Sequence, residues 1–517
     1  MGIVKKKTAL QLGKQALSLA NVYEVAVQGR SVELSTEACE KVLKAHQFLI
    51  SRIETGETHY GLNTGFGLLS SVRIPPEDIE TLQYYLLRSH ACGVGPALDD
   101  HYVRAMLLLR ANNLAIGNSG VSLQLVNQIL AILNAGIVPI VPVQGSVGAS
   151  GDLAPLSHLA LPLIGEGRAR FQGQEMSGAE ALKAAKLEPL RLGPKEGLAL
   201  INGTQFMTAI GTLNLLEAEF LADLSDMTGA LSLEALRGTS TAFDEEIHLV
   251  RPHPGQLQVA KNLRTFLLPA QKKSEIAMSH LQCARVQDPY SLRCMPQVHG
   301  ASRDTLTFVR QVLEREVNSV TDNPLIFPDQ KKILSGGNFH GQIVAIAMDT
   351  LAIAVAELAS ISEQRLEKLV NPAFSDLPPF LTTRGGLNSG FMIVQVAAAS
   401  LVSENKTLCH PASVDSIPTS ADKEDHVSMG AWAARKASLV VQNARRVLGM
   451  ELLAAAQGID LIRPLKSTPV LEEFHTLVRT LVPKLEEDRV FYKDFEAIET
   501  LLTSTTFRDQ LKNRITE

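Results

Sequence analysis

Cysteine is scarce in this 517-residue chain, charge of one sign never accumulates, and no long hydrophobic run is free of charged residues. The five cysteines, Cys39, Cys92, Cys283, Cys294 and Cys409, are odd in number and form no Cys-x-x-Cys pair, which argues against a disulfide framework or a paired-thiol metal or redox motif. Free thiols in a reducing cytoplasm are the expectation. With 49 Lys and Arg against 54 Asp and Glu the formal net charge is −5, and Lys5-Lys6-Lys7 is too short and too terminal to be a nucleic-acid footprint. The most hydrophobic long stretch, Ile343 to Leu358, holds Asp349 and Glu357, which suits a buried helix better than a bilayer span. Thr8 to Val25 is broken by Gln11, Lys14, Gln15, Asn21 and Glu24 and so lacks the apolar core of a secretion signal. No repeat of about 20 to 50 residues, no low-complexity segment and no convincing metal-ligand cluster is visible.

What is present is the composition of an ordinary globular protein, 45% hydrophobic and 20% charged, able to bury a large core. From Ala199 onward apolar residues recur at helical spacing over long stretches: Thr204 to Leu236, Asp304 to Val317, Ile343 to Val370, Met392 to Leu408 and Gly430 to Ile459. These exceed the usual helix of roughly 12 residues and predict a central bundle of long helices. Before them the pattern is shorter and more broken, with helices expected over Ser35 to Thr55, Glu77 to Ser89, Tyr102 to Ile116 and Val121 to Ala135, and an extended stretch over Val138 to Val143. The expected fold is mainly α, with a loop-rich helical region over 1–200 and the long-helix bundle with C-terminal helices over 201–517.

Polar stretches marked by glycine or proline interrupt this scaffold, and functional residues concentrate on such connections. The most unusual is Gly145-Ser-Val-Gly-Ala-Ser-Gly-Asp-Leu-Ala-Pro-Leu-Ser-His158, where small residues permit a tight, reactive turn. Taken alone it also fits an ordinary loop before a helix capped by Asp152. The others are Tyr60-Gly-Leu-Asn-Thr-Gly-Phe-Gly67, Ser89-His90, Leu200-Ile-Asn-Gly-Thr204, Gln287-Asp-Pro-Tyr-Ser-Leu-Arg293, Ser335-Gly-Gly-Asn-Phe-His340 and Ala421-Asp-Lys-Glu-Asp-His-Val-Ser-Met429. The Tyr60 stretch is no Walker loop or dinucleotide fingerprint, because no Gly-Lys-Ser/Thr follows and the glycine spacing is wrong. Singly, each candidate keeps a plain structural alternative: Tyr60 a packing residue, His90 a satisfied hydrogen-bonding group, Arg293 a surface ion pair, Gln287 a turn cap, Tyr290 a core aromatic, Glu424 a solvated charge.

Ala149-Ser-Gly-Asp-Leu-Ala-Pro-Leu156 resembles the signature of the histidine and aromatic amino acid ammonia-lyases, and the separated motifs extend the resemblance from about Tyr60 to Asp460. In that family the glycine nitrogen attacks the alanine carbonyl and two waters are lost, the serine hydroxyl among them, leaving a methylidene-imidazolone. The resemblance implies that Ala149, Ser150 and Gly151 become this built-in electrophile, with no external cofactor; the missing ligand cluster sets the expected metal at none. The resemblance implies further that Tyr60 is the catalytic tyrosine, with either Tyr60 or Glu424 as the principal base, that Asn202 sits beside the ring and Phe339 packs near it, and that Gln287, Tyr290 and Arg293 supply polar contacts and a carboxylate clamp. His90 and Glu424 would face the substrate side chain. It also implies a homotetramer in which one site draws on three chains.

The residue types suit that chemistry. An electrophile that captures the amino group solves the leaving-group problem, a positioned base removes the weakly acidic β-proton, and a planar guanidinium binds both carboxylate oxygens. A His with a carboxylate forms a receptor for imidazole, whereas a phenyl ring would leave the carboxylate unpaired at roughly 1 to 3 kcal/mol. L-Histidine, converted to trans-urocanate and ammonia, is therefore the expected substrate. Tyrosine or phenylalanine elimination, an aminomutase of the same family, and an inactive helical scaffold are the alternatives. A fumarase-type lyase is rejected, since Cys294-Met295-Pro296 is only a fragment of the loop such enzymes need.

Overall fold

A computed structural model describes residues 8–54, 64, 73–281 and 286–516. It is mainly helical, and the few strands are two to four residues long. The long helices run Gln205–Ala235, Met295–Glu316, Gln342–Val370, Met392–Leu408 and Gly430–Leu461. Four of the five begin and end within about two residues of the apolar periodicity that predicts them. The exception starts nine residues ahead of Asp304, at Met295. Pro296 is harmless there because the first helical turn has no internal partner for its missing N–H. Gly300 permits a close crossing, since a Cβ on it would stand 2.5 Å from the Gln256 nitrogen. Helix Gln342–Val370 is apolar and long enough to span a bilayer, yet 61% of its most hydrophobic window is buried inside the protein, as a core helix requires.

Two compact units form, each from three stretches of chain: Met1–Leu213, Arg310–Asp349 and Pro411–Arg435 in one, and Asn214–Val309, Thr350–His410 and Lys436–Glu517 in the other. The sequence reading divides the chain once, after residue 200, because periodicity records where helices lengthen and not where a chain returns.

The first unit is centred on helix Asp100–Ala115, which is buried on every side from Ala105 to Ala115, with Leu19–Ala26 and Leu123–Ala135 packed against it. Beside it, three helices pack mutually: Ile79–His90, Leu153–Ala160 and Glu196–Ile201. Their contact is tight enough that a Cβ on Gly197 would meet the Gln83 carbonyl at 2.7 Å, and Gln83 Oε1 accepts from the Gly197 nitrogen at 3.0 Å. This cluster fixes where three loops emerge. His90 ends the first helix, Gly151 precedes the second, and Asn202 follows the third. An antiparallel ribbon, Val94–Ala97 with Pro142–Gln144, then ties the segment after His90 to the segment before Gly145.

The second unit holds the remaining lengths of the long helices, Pro254–Leu267 and the C-terminal helices Pro469–Leu481, Phe491–Thr503 and Thr505–Thr516. A polar seam runs through its core. Arg365 grips Glu451 through Nε at 2.6 Å and Nη2 at 2.9 Å, and the hydroxyls of Ser232 and Ser362 also donate to Glu451, each at 2.6 Å. All the orphan lone pairs of the carboxylate are thereby met, as a buried charge demands.

Candidate active site

The Gly145–Gly151 loop is held by contacts that exclude side chains. Gly151 has φ +76°, and a Cβ there would lie 2.2 Å from the Gly203 carbonyl, so the two glycines meet backbone to backbone. The adjoining Asp152 nitrogen donates to that same carbonyl at 2.7 Å. Gly148, at φ +69°, is pressed equally closely, with a Cβ falling 2.3 Å from Ser428 Oγ. Ser428 donates to the Gly148 carbonyl at 3.1 Å and the Met429 nitrogen donates to the Val147 carbonyl at 2.8 Å, so the 421–429 loop clamps the signature.

Asp152 does not cap its own helix. Its carboxylate reaches across to accept from the Met207 nitrogen at 3.1 Å and from Ser146 Oγ at 3.3 Å. Complete burial, reinforced by the neighbouring Glu316 and only partly offset by these bonds, pushes its carboxyl up to about 7.

Ser150 points its hydroxyl at Glu424, donating to Oε1 at 2.8 Å. The other oxygen of Glu424 accepts from Thr419 at 2.8 Å and Ser420 at 2.7 Å. Glu424 is thus no solvated charge. Partial burial raises its carboxyl, but the hydroxyl donors Ser420, Thr419 and Ser150, with His90 nearby, outweigh burial and hold it below its usual value. Between the paired residues Thr419 and Glu424, three successive non-glycine residues, Ser420, Ala421 and Asp422, take positive φ of 53°, 55° and 63°. Such a run is strained, and strain of this kind gathers at functional loops.

His90 is half-buried at its helix end, with Nδ1 2.9 Å from the Leu86 carbonyl. A carbonyl only accepts, so Nδ1 carries the proton and Nε2 is the acceptor in the neutral ring. Desolvation lowers its pKa against the pull of the Leu86 bond and of Glu424. Asn202 is buried; its Nδ2 donates to the Asn323 carbonyl at 3.2 Å, while Oδ1 has no partner among the described residues. Phe339 is half-buried beside His340, whose Nε2 donates to the His426 carbonyl at 3.1 Å.

The remaining candidates belong to the second unit. Arg293 is no surface ion pair: its guanidinium lies 4.4 Å from the Tyr290 ring centroid and its Nε donates to the Asp288 carbonyl at 3.0 Å. Tyr290 is 69% exposed, so it is no core aromatic. Gln287 is exposed at a cavity of about 500 Å³ whose lining includes the cations Arg237, Lys273 and Arg293 together with His280. Tyr60 lies outside the described residues, as does Cys283.

The structure therefore gathers Ala149–Gly151, Asn202, Glu424 and His90 around one set of helix ends, and Gln287, Tyr290 and Arg293 as a second group. Ser146, Thr419, Ser420, Ser428 and Gly203 are the supporting residues the motifs did not single out. Ser146, Gly203 and Ser428 lie inside the polar stretches quoted from the sequence, whereas Thr419 and Ser420 precede Ala421 and carried no signal. The loop fits a ring closed between Ala149 and Gly151. Gly151 must be glycine, the hydroxyl to be lost is half-buried, and Asn202, which precedes the Gly203 that meets Gly151, is buried with an Oδ1 that has no partner among the described residues.

Comparison with known proteins agrees in extent. The aromatic amino acid lyase family model matches residues 17–480. A histidine ammonia-lyase of Anaeromyxobacter sp. (strain K) is 54% identical over 502 residues, covering 95% of this chain and 98% of the relative. Among solved structures, histidine ammonia-lyase from Trypanosoma cruzi superposes with a TM-score of 0.91 at 45% identity, covering 98% of this chain and 96% of that one. Tyrosine aminomutase from Streptomyces globisporus superposes at 0.92 with 36% identity, covering 98% and 99%. Motif geometry, fold and whole-length similarity coincide, and the chain belongs to the aromatic amino acid lyase family.

Proposed function

We propose that this chain eliminates ammonia from L-histidine to give trans-urocanate, through a methylidene-imidazolone made from Ala149, Ser150 and Gly151. One contact supports the reading most directly: the Ser150 hydroxyl 2.8 Å from Glu424, with His90 close enough to pull on the same carboxylate. A carboxylate held ionised beside the signature loop accepts the imidazole N–H of histidine, and a phenyl ring offers it nothing.

The ring formed from the signature supplies an electrophile for the amino group of the substrate. The chain's own side chains do the rest. Arg293 commits its Nε to the Asp288 carbonyl, its two Nη groups have no hydrogen-bond partner among the described residues and serve the substrate carboxylate, and the stacked Tyr290 holds its plane. His90 and Glu424 orient the imidazole. Tyr60 takes the β-proton, which requires a pKa well below its ordinary value of about 10. The assembly is a homotetramer in which sites draw on more than one chain, and the exposure of Tyr290 leaves it available to a neighbouring copy.

Intact mass and turnover test this together. The purified chain is expected to weigh two waters less than its sequence and to release urocanate from L-histidine. Ser150→Ala is expected to retain those waters and lose turnover. A full-weight wild-type chain without turnover would contradict the proposal.

A further inference from the structure

Beneath the Asn202–Gly203 turn lies a buried charge network. Arg110 is 1% exposed; its Nη1 donates to the Asn202 carbonyl at 2.9 Å and its Nη2 donates to Asn113 Oδ1. Lys195 and Asp322, both fully buried, pair at 2.6 Å, and Asp322 also attracts Arg110. The same Asp322 accepts from the Asn323 nitrogen at 2.7 Å, and the Asn323 carbonyl in turn accepts from Asn202 Nδ2 at 3.2 Å. Asn202 is thereby gripped twice, at its carbonyl by Arg110 and at its amide nitrogen by Asn323. The grip leaves its Oδ1 as the uncommitted atom.

The charges do not balance locally. Two buried cations share one carboxylate, and Arg110 Nε has no partner among the described residues. An incompletely compensated buried cation works against stability, so its presence needs another reason. Among the described residues the side-chain hydrogen bonds of Arg110 lead to Asn202 and to Asn113 at its flank, and Asn113 itself donates to Thr321 Oγ1 at 3.3 Å, on the chain segment that leads into Asp322.

We propose that Arg110 is a positioning residue for the reaction: it fixes the Asn202 turn so that the Asn202 amide oxygen is presented in one orientation, and the buried Asp322 carboxylate draws Arg110 toward that turn. This rests on the reading that Asn202 acts beside the prosthetic group. Removing Arg110 leaves Lys195 and Asp322 paired, so the substitution orphans no charge.

The test is a double-mutant cycle of Arg110→Met, Asn202→Ala and both together, with Arg110→Lys alongside, in the assembled enzyme. The readouts are kcat and KM on L-histidine, with kcat counted per chain whose mass has fallen by two waters. Arg110→Met is expected to lower kcat by about 100-fold while KM moves less than about threefold, the signature of misplacement by roughly an ångström. Arg110→Lys, which keeps the charge and a donor, recovers part of the loss. In the Asn202→Ala background Arg110→Met costs nothing further. Additive losses, or an unchanged kcat in Arg110→Met, would overturn the proposal. An undiminished kcat in Asn202→Ala overturns the role of Asn202 itself. Should Arg110→Met not fold, the cycle built on Arg110→Lys decides by the same additivity criterion.

Discussion

Glu424 and Asp152 are two carboxyl groups within one loop system, driven in opposite directions by their surroundings. Three hydroxyl donors outweigh partial burial at Glu424 and hold it below its usual value; when the Ser150 hydroxyl leaves on ring formation, Oε1 is freed for a substrate N–H while Thr419 and Ser420 still donate to Oε2. Glu424→Gln, which retains shape and removes the charge, is expected to lower kcat/KM on L-histidine by about 10-fold or more, measured by steady-state kinetics. Asp152 has hydroxyl and amide donors too, yet full burial wins and carries it to about 7. The folded state therefore binds this proton more tightly than the unfolded chain, whose carboxyl ionises near 3.8. The stability it contributes is complete below that pH and is lost as pH rises toward 7, by roughly 4 kcal/mol at the upper end. Thermal midpoints recorded from pH 4 to 7 are expected to fall more steeply in the wild type than in Asp152→Asn, whose own cost is a constant offset.

At the scale of elements, the site is made by helix ends and by backbone meeting backbone. Gly151→Ala would drive a Cβ into the Gly203 carbonyl, 2.2 Å away, at a φ of +76° that side chains resist. That chain is expected to keep its full sequence mass, because the loop can no longer pack against Gly203; loss of two waters in the mass spectrum would count against the role given to this contact. Ser428→Ala removes the donor to Gly148 and the acceptor for the Gly430 nitrogen. It is expected to cost roughly 1 to 3 kcal/mol in denaturant unfolding, the cost of unsatisfied buried groups. Helices themselves were plain in the sequence, because burial of one face or of every face imposes a period that neighbours in sequence record. The turn at Ala421–Met429 was visible only as polar and aperiodic. That Thr419 and Ser420 bend back to serve Glu424 follows from three positive φ values that no residue type there announces.

Across the whole molecule, what the sequence hid is long-range. Ser150 and Glu424 are 274 residues apart, and Arg110 and Asn202 are 92 apart. Local periodicity carries no trace of such pairings. Arg110 reads in sequence as one more position in a helical stretch, and only burial against Asn202 gives it meaning. The signature, by contrast, was legible because Ala149-Ser-Gly-Asp-Leu-Ala-Pro-Leu156 is contiguous in the chain and resembles the family's motif as it stands. The same long-range logic governs the core seam of the second unit. Glu451→Gln would leave the fully buried Arg365 without its counter-ion and is expected to destabilise the protein by about 3 to 5 kcal/mol, read as a lower denaturant midpoint.

Selection of an imidazole by Glu424 and His90 beside the signature loop is tested most directly by comparing kcat/KM for L-histidine, L-tyrosine and L-phenylalanine in one preparation, with products identified. Trans-urocanate from L-histidine, favoured by about 1,000-fold or more over either other amino acid, is the expected result, as for a site whose buried polar groups need a polar partner. Coumarate, cinnamate or a β-amino acid formed at a comparable rate would contradict it.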